Sequence, residues 1–388
     1  MPKKPAGPVV AQRPASMHPL LRTAVVLGLL FMFLLGVNGL GDAFKALGSD
    51  ALEAFFSATS NPFIGLMVGV LATTLVQSSS VSTSLIVGLV AAPVHPLPLA
   101  NAIPMIMGAN IGTTVTNTIV SLGHIRRPEE FRRAFAVATC HDFFNFIAVA
   151  VLLPIELATG YLRTSATALT GLLVGFSGVE YDSPLKGALK AILTPIKDGL
   201  AAVATERVAG ILLILISGAL IYAALTMLVG VMRSAVQTRV ESIVARGLEK
   251  SALIGIVVGI VVTVMVQSSS ITTSLLVPLA GAGLLNVAQA FPVTVGANIG
   301  TTVTAMLAAL AATGVNARLG LTIALVHLLF NLSATLLVFP FERIRNIPIR
   351  AAERLAEIAG KSRRWALVYV ILLFYGVPAL FALLNQIL

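Results

Sequence analysis

The stretch "TTLVQSSSVSTS", residues 73–84, places Gln77 and a run of hydroxyls inside an apolar segment, and "VMVQSSSITTS", residues 264–274, repeats the arrangement. The second occurrence belongs to a longer correspondence. Residues 76–92 match 266–282 at 11 of 17 positions, at an offset of 190. "PMIMGANIGTTVT" (104–116) faces "PVTVGANIGTTVT" (292–304) with the last nine residues identical, and "HDFFN" (141–145) faces "HLLFN" (327–331). Three blocks in one order, with offsets drifting from 190 through 188 to 186, identify a duplicated chain. Helical periodicity alone does not generate such identity.

Of 388 residues, 57% are hydrophobic and only 11% charged, and several apolar runs reach the roughly 20 residues a bilayer crossing needs. This composition predicts an all-α, polytopic membrane protein. The net charge of +10 sits in short segments between apolar runs rather than on an aromatic-rich face, which argues against a nucleic-acid partner and reads as an orientation signal. The single cysteine, Cys140, lies in an apolar run and reads as a small core residue. Residues 1–19 are Pro-rich and basic and read as a disordered cytoplasmic tail. The run at 20–40 is longer than a signal-peptide core and is expected to stay as a membrane helix. The first repeat is set at 20–156: a lead helix (20–40), a QSSS hairpin (61–94), a GANIGTT helix and an HDFFN helix (134–154). An external connecting segment follows at 157–209, where "PLKGALKAILTPIKDGLAAV" has the pattern of an interfacial amphipathic helix. The second repeat is set at 210–340: a lead helix (210–232), a hairpin (251–282), a GANIGTT helix and an HLLFN helix (320–340). A cytoplasmic amphipathic segment (341–364) and a final transmembrane helix (365–388) close the chain.

Charge sets the expected topology. The loop at 42–60 carries Asp42, Asp50 and Glu53 against Lys45, a net of −2; its counterpart at 233–250 carries Arg233, Arg239, Arg246 and Lys250 against Glu241 and Glu249, a net of +2. By the positive-inside rule the first loop is outside and the second inside, so the two repeats are inserted with inverted topology. A re-entrant hairpin at 61–94 puts Arg126, Arg127, Arg132 and Arg133 inside, whereas a single crossing would put them outside. The N-terminus is then cytoplasmic and the C-terminus external.

Polar side chains and irregular backbone at membrane depth are tolerated where protein buries them or they line a wet cavity. Two oppositely inserted hairpins with polar tips meeting near the midplane follow the plan of secondary transporters. Serine hydroxyls and tip amides can donate to an oxyanion, and Gln, Asn, Ser, Thr and carbonyl oxygens can replace water around sodium. With no Lys or Arg in either tip, co-bound cations must balance the anion. Competing readings stand beside these: hydroxyls bonded back to their own helix, and Gly108, Gly112, Gly296 and Gly300 serving close packing as GxxxG. His141 and His327 lack nearby carboxylates and make a poor transition-metal site. Asp142, inside an apolar helix and opposite Leu328 in the other repeat, reads as a cation ligand in preference to a salt bridge with Arg132 or Arg133. No acid–base constellation accompanies the hydroxyls, so an enzyme is not expected. An anion channel, and transport of sulfate, arsenate or a carboxylate, stay open at this point.

"NPFIGLMVGVLATTLVQSSSVSTSLIV", "IPMIMGANIGTTVTNTIVSL", "RRPEEFRRAFAVATCHDFFNF" and "VQSSSITTSLLVPLAG" with "VTVGANIGTT" resemble the type II sodium-dependent phosphate cotransporters. The resemblance runs from about Leu20 to the final helix. It implies sodium-driven phosphate import across a bacterial inner membrane, with inorganic phosphate, sodium and the lipid bilayer as partners and no organic cofactor. Carried over by position, Ser78, Ser79, Ser80, Ser268, Ser269 and Ser270 would surround phosphate, together with Asn110 and Asn298. Gln77, Gln267, Ser84, Ser274, Thr114, Thr302, Asp142, Asn145 and Asn331 would supply the sodium sites. Asp142 matches the aspartate of electrogenic members, so the resemblance implies net charge movement. The 157–209 segment lacks the cysteines and Asn-x-Ser/Thr of the vertebrate outer loop. Oligomeric state stays open, a homodimer being one option.

Overall fold

An apolar run in lipid satisfies its backbone only by folding on itself, and the chain does so throughout. A computed structural model describes residues 18–46, 56–93, 95–175, 184–248, 251–312 and 316–387, where every regular element is a helix. Six helices are long and apolar enough to cross a membrane: Leu20–Leu40, Pro128–Thr159, Glu206–Leu228, Val287–Ala311, Ala317–Val338 and Arg364–Phe381. Residues 1–17 of the tail expected at 1–19, the loop residues 47–55 and 249–250, and the side chains of 232–250 lie outside the described residues.

In the first half, α1 (Pro19–Ala46) is followed by two short helices, α2 (Pro62–Val76) and α3 (Ser79–Val90), then α4 (Leu99–Thr113), α5 (Val115–Leu122) and α6 (Pro128–Thr159). Helices α7 (Tyr161–Gly175) and α8 (Pro184–Val203) connect to the second half. That half runs α9 (Glu206–Leu248), α10 (Ala252–Val266), α11 (Ser269–Ser274), α12 (Leu276–Gly281), α13 (Val287–Ala311) and α14 (Ala317–Val338). The chain ends on α15 (Glu342–Lys361), α16 (Arg364–Ile371), a π-helical turn at Leu372–Gly376 and α17 (Val377–Ile387).

At 15 residues, α2 and α10 are each about 22 Å long, short of the roughly 30 Å hydrocarbon core. Both end on a glutamine in the left-handed region, Gln77 at φ +54° and Gln267 at φ +57°. The next residue, Ser78 or Ser268, is extended and caps the following helix: its Oγ accepts from the Val81 or Ile271 N–H at 3.4 and 3.3 Å. The duplication therefore extends to the turn itself.

The first limb of each break packs on the GANIG helix of its own half through glycine. A Cβ on Gly108 would overlap the Leu66 carbonyl, and one on Gly296 the Ile256 carbonyl, which backbone this close permits only to glycine. The halves also interlock. Helix α3 packs against α13 and α14, α12 against α6, and α1 along α9. Asn38 Nδ2 on α1 donates to the Ala311 carbonyl of α13 at 3.0 Å. One apolar core, including Phe33, Phe135, Phe144, Phe291 and Phe330, runs through both halves.

The structure departs from the sequence expectations in several places. The first GANIGTT segment breaks at Thr114, whose N–H bonds back to the Ile111 carbonyl at 3.2 Å, while its twin continues unbroken as α13. The helix that follows the second QSSS break is itself interrupted at Leu275, where Pro278 has no N–H for the Ser274 carbonyl. The HDFFN helix spans 128–159 rather than 134–154, starting at Pro128 with Glu129 and Glu130 in its first turn. In the connecting segment α8 is the helix expected there, with Leu189 and Leu193 against Leu35, and α7 is an additional helix that buries Leu162 and Ala166 and joins α14 through Thr170 and Thr322 (3.0 Å).

Gly108→Ala and Gly296→Ala should each lower the thermal unfolding midpoint of detergent-purified protein, overpacking of this kind costing about 1–3 kcal/mol. Gly28→Ala, where an added Cβ meets nothing within 4 Å, is the control and should not destabilise. Equal midpoints for all three would remove close packing as the reason for these glycines.

Candidate functional site

The two helix breaks meet. Gln77, Ser78 and Ser80 from one half and Gln267 and Ser268 from the other line a single cavity of about 220 Å³, walled by Val76 and by Tyr222, Leu225 and Thr226 of α9. No Lys, Arg, Asp or Glu lines it. A bonded chain crosses between the halves beneath it. Ser80 Oγ lies 3.4 Å from Thr304 Oγ1, which donates to Gln267 Oε1 at 3.1 Å, and Gln267 Nε2 donates to the Val264 carbonyl at 2.7 Å. Gln267 is thereby held by both ends of its amide.

Deeper in the protein a second network links the halves. Asn117 Oδ1 accepts from Thr273 Oγ1 (2.9 Å) and Ser274 Oγ (3.0 Å), and its Nδ2 lies 3.5 Å from His141 Nδ1. His141 Nε2 lies 2.6 Å from Asn298 Oδ1, Asn298 Nδ2 donates to Asn145 Oδ1 (2.8 Å), and Asn145 Nδ2 donates to the Asn110 carbonyl (2.8 Å). Because the Asn298 amide already donates to Asn145, its oxygen faces His141, and the imidazole proton belongs on Nε2. All these groups are buried except Ser274, which is partly so.

The mirror-image network is not made. Asn331 Nδ2 turns back to the His327 carbonyl (3.0 Å), Asn110 Nδ2 to the Ile106 carbonyl (2.9 Å), and neither His327 nitrogen nor Asn331 Oδ1 has a partner. Sequence accounts for part of this. At the duplication offset, Asn117 falls on Ala305, so Ser84, unlike Ser274, finds no amide, and its Oγ has no partner.

Asp142, wholly buried on α6, accepts from Tyr369 Oη at 2.6 Å and stands 3.5 Å from Thr118 Oγ1; its Oδ1 has no partner. The alternative of a salt bridge is not realised. Arg132 pairs with Glu129 (3.1 Å), and Arg133 donates twice to the Gly281 carbonyl (2.8 and 3.2 Å).

Of the residues expected at the site, Gln77, Ser78, Ser80, Gln267 and Ser268 share the cavity, while Ser79, Ser269 and Ser270 do not line it. Asn145, Asn298 and Ser274 meet in the deeper network. Thr114 and Thr302 hydroxyls donate to carbonyls of their own helices, Ile111 (2.9 Å) and Ile299 (2.7 Å), as the back-bonding alternative anticipates. Sequence reasoning missed Asn117, Thr273, Thr304, Tyr222 and Tyr369. The mismatch of Asn117 with Ala305 was a signal available for the first; Tyr222 and Tyr369 had none. Among the described residues no three His, Cys, Asp or Glu gather as a metal site.

Among the described residues, six candidate spans and a buried, duplicated set of polar side chains define a polytopic membrane protein. The chain belongs to the Na+/Pi-cotransporter family, which it matches over residues 32–181 and 219–347. It is 34% identical to sodium-dependent phosphate transport protein 2B of Homo sapiens, over 92% of this chain and 64% of the relative. It is equally 34% identical to sodium-dependent phosphate transport protein 2A of Rattus norvegicus, over 93% and 67% respectively. The chain thus spans about two thirds of the length of these relatives. No solved structure matches it.

The unequal networks predict unequal costs. Asn298→Ala orphans His141 and Asn145 and should destabilise by about 1–3 kcal/mol per stranded group. Asn331→Ala, which removes one bond within its own helix, should cost under about 1 kcal/mol. Thermal unfolding of the purified variants checks the order, and equal losses would show that the network does not bind the halves together.

Proposed function

We propose that this protein imports inorganic phosphate together with sodium ions by alternating access, electrogenically, as a multi-pass protein of the bacterial inner membrane. The observation that carries the reading is the shared cavity, to which both halves bring the same glutamine and serine and no cationic side chain. A phosphate entering there meets the hydroxyls of Ser78, Ser80 and Ser268 and the first-turn amides of α3. Ser79, Ser269 and Ser270, with Asn110 and Asn298, act in the layer behind. Without Lys or Arg the anion's charge is left to sodium ions, held by the carbonyl and hydroxyl oxygens of Gln77, Gln267, Ser84, Thr114, Thr302, Asn145 and Asn331.

A separate cation position is assigned to Asp142 with Ser274, beside Asn117 and Thr118. The carboxylate has neutral donors only, so a cation there balances it, and net charge then moves with each cycle. The membrane potential contributes roughly 2.3 kcal/mol per charge per 100 mV to such a step. The two breaks are read as re-entrant hairpins of inverted repeats, entering from opposite faces, with the N-terminus cytoplasmic and the C-terminus external. The short limbs and the matching turn geometry favour this reading. The chemistry needs no organic cofactor. The names of the relatives add weight, since both are sodium-dependent phosphate transport proteins.

Radiolabelled phosphate uptake into proteoliposomes tests the coupling. An inward sodium gradient should drive accumulation that a choline gradient does not, and equal uptake in both would sink the symport reading. Asp142→Gly should retain part of the uptake while losing its response to an imposed membrane potential. Unchanged voltage sensitivity would remove Asp142 from the cation site.

A further inference from the structure

We propose that Tyr369, on the last membrane helix, is a positioning residue for the cation site: its hydroxyl holds the Asp142 carboxylate so that Oδ1 faces an incoming monovalent cation. The inference rests on the reading that Asp142 belongs to such a site. Asp142 is fully buried, and its one short hydrogen bond is to Tyr369 Oη, at 2.6 Å on Oδ2. Oδ1 has no hydrogen-bond partner, and the Thr114 hydroxyl, itself bonded to the Ile111 carbonyl, is a further group that interacts with the carboxylate. A carboxylate in that state has one oxygen pinned and one open.

The tyrosine is itself held. Its ring meets Phe135 of α6 edge-on at 6.2 Å and 76°, and Phe374 at 6.2 Å and 81°. Phe374 is fully buried in the π-helical turn Leu372–Gly376, which begins three residues after Tyr369. Such a turn admits an extra residue and re-aims the side chains around it, and π-turns recur at functional sites. Here it brings Phe374 onto the Tyr369 ring, so the phenol is fixed between two helices rather than swinging free.

The chemistry of the donor matters as much as its place. A lysine or arginine at 369 would cancel the carboxylate's charge and leave nothing for a cation to balance. A phenol orients the group and leaves its charge in place. The position is also asymmetric. Tyr369 lies outside the duplicated blocks, and the residue opposite Asp142 is Leu328, so the tyrosine serves the one half that carries a carboxylate.

Tyr369→Phe removes the hydroxyl and keeps the ring. Sodium-evoked charge displacement, recorded from proteoliposomes on a solid-supported membrane without phosphate, should need about tenfold more sodium, as loss of one hydrogen bond to a charged group implies. Half-saturation by phosphate at saturating sodium should not move. Should transport be lost altogether, sodium-dependent thermal stabilisation of the purified variant reads cation binding alone and should show the same shift. In an Asp142→Asn background the tyrosine change should add nothing, since the two share one interaction. A wild-type sodium dependence in Tyr369→Phe, with Asp142→Asn impaired, would overturn the positioning role while leaving the cation site standing; equal effects of Tyr369→Phe in both backgrounds would do the same. If Asp142→Asn itself keeps normal charge displacement, the failure lies in the functional reading, and this inference goes with it.

Discussion

A helix that stops inside lipid releases N–H and C=O groups that no water will meet, and each one left bare there costs several kcal/mol. The breaks at Gln77 and Gln267 answer this in the same way. The glutamine turns left-handed, and the hydroxyl oxygen of the following serine accepts from a backbone N–H of the next helix. Everything around the centre follows from keeping those turns covered. Glycines at 108 and 296 let the GANIG helices lie against the first limbs, and each outer limb is taken up by the opposite half. A polar turn between apolar helices is thus covered by interlocking the two halves of one chain.

Interlocking does not make the halves equivalent. Asn117, Thr118 and Asp142 face Ala305, Met306 and Leu328 in the duplicated register, so polarity has been kept or gained on one side only. The consequence is a directed hydrogen-bond path from Ser274 through Asn117, His141, Asn298 and Asn145 to the Asn110 carbonyl, with no counterpart through His327 and Asn331. The unpartnered His327 nitrogens and Asn331 Oδ1 mark the half in which the path is missing.

How much of this was legible beforehand divides along the duplication. Helical breaks at QSSS, the GANIG packing face and the polar HxxxN helices could be read because each occurs twice, and coincidence does not write a motif twice in order. Which serine opens to the cavity could not be read, since Ser78 and Ser79 differ only by their turn of the helix. Nor could the fate of single residues outside the blocks: Tyr222 and Tyr369 look like ordinary aromatics of apolar helices until the fold sets one against the serine tips and the other against Asp142. The hydroxyls of Thr114 and Thr302 bond to carbonyls of their own helices, which their place in the motif did not reveal.

The carboxylate is where sequence, packing and energetics converge most sharply. Arg133 bonds to the Gly281 carbonyl and Arg132 to Glu129, and the groups that face Asp142 are the hydroxyls of Tyr369, Thr118 and Thr114. Neutral donors orient a buried charge without discharging it. If Asp142 holds the proposed cation, its site is least stable when empty, and occupancy then favours the conformation in which the site is closed.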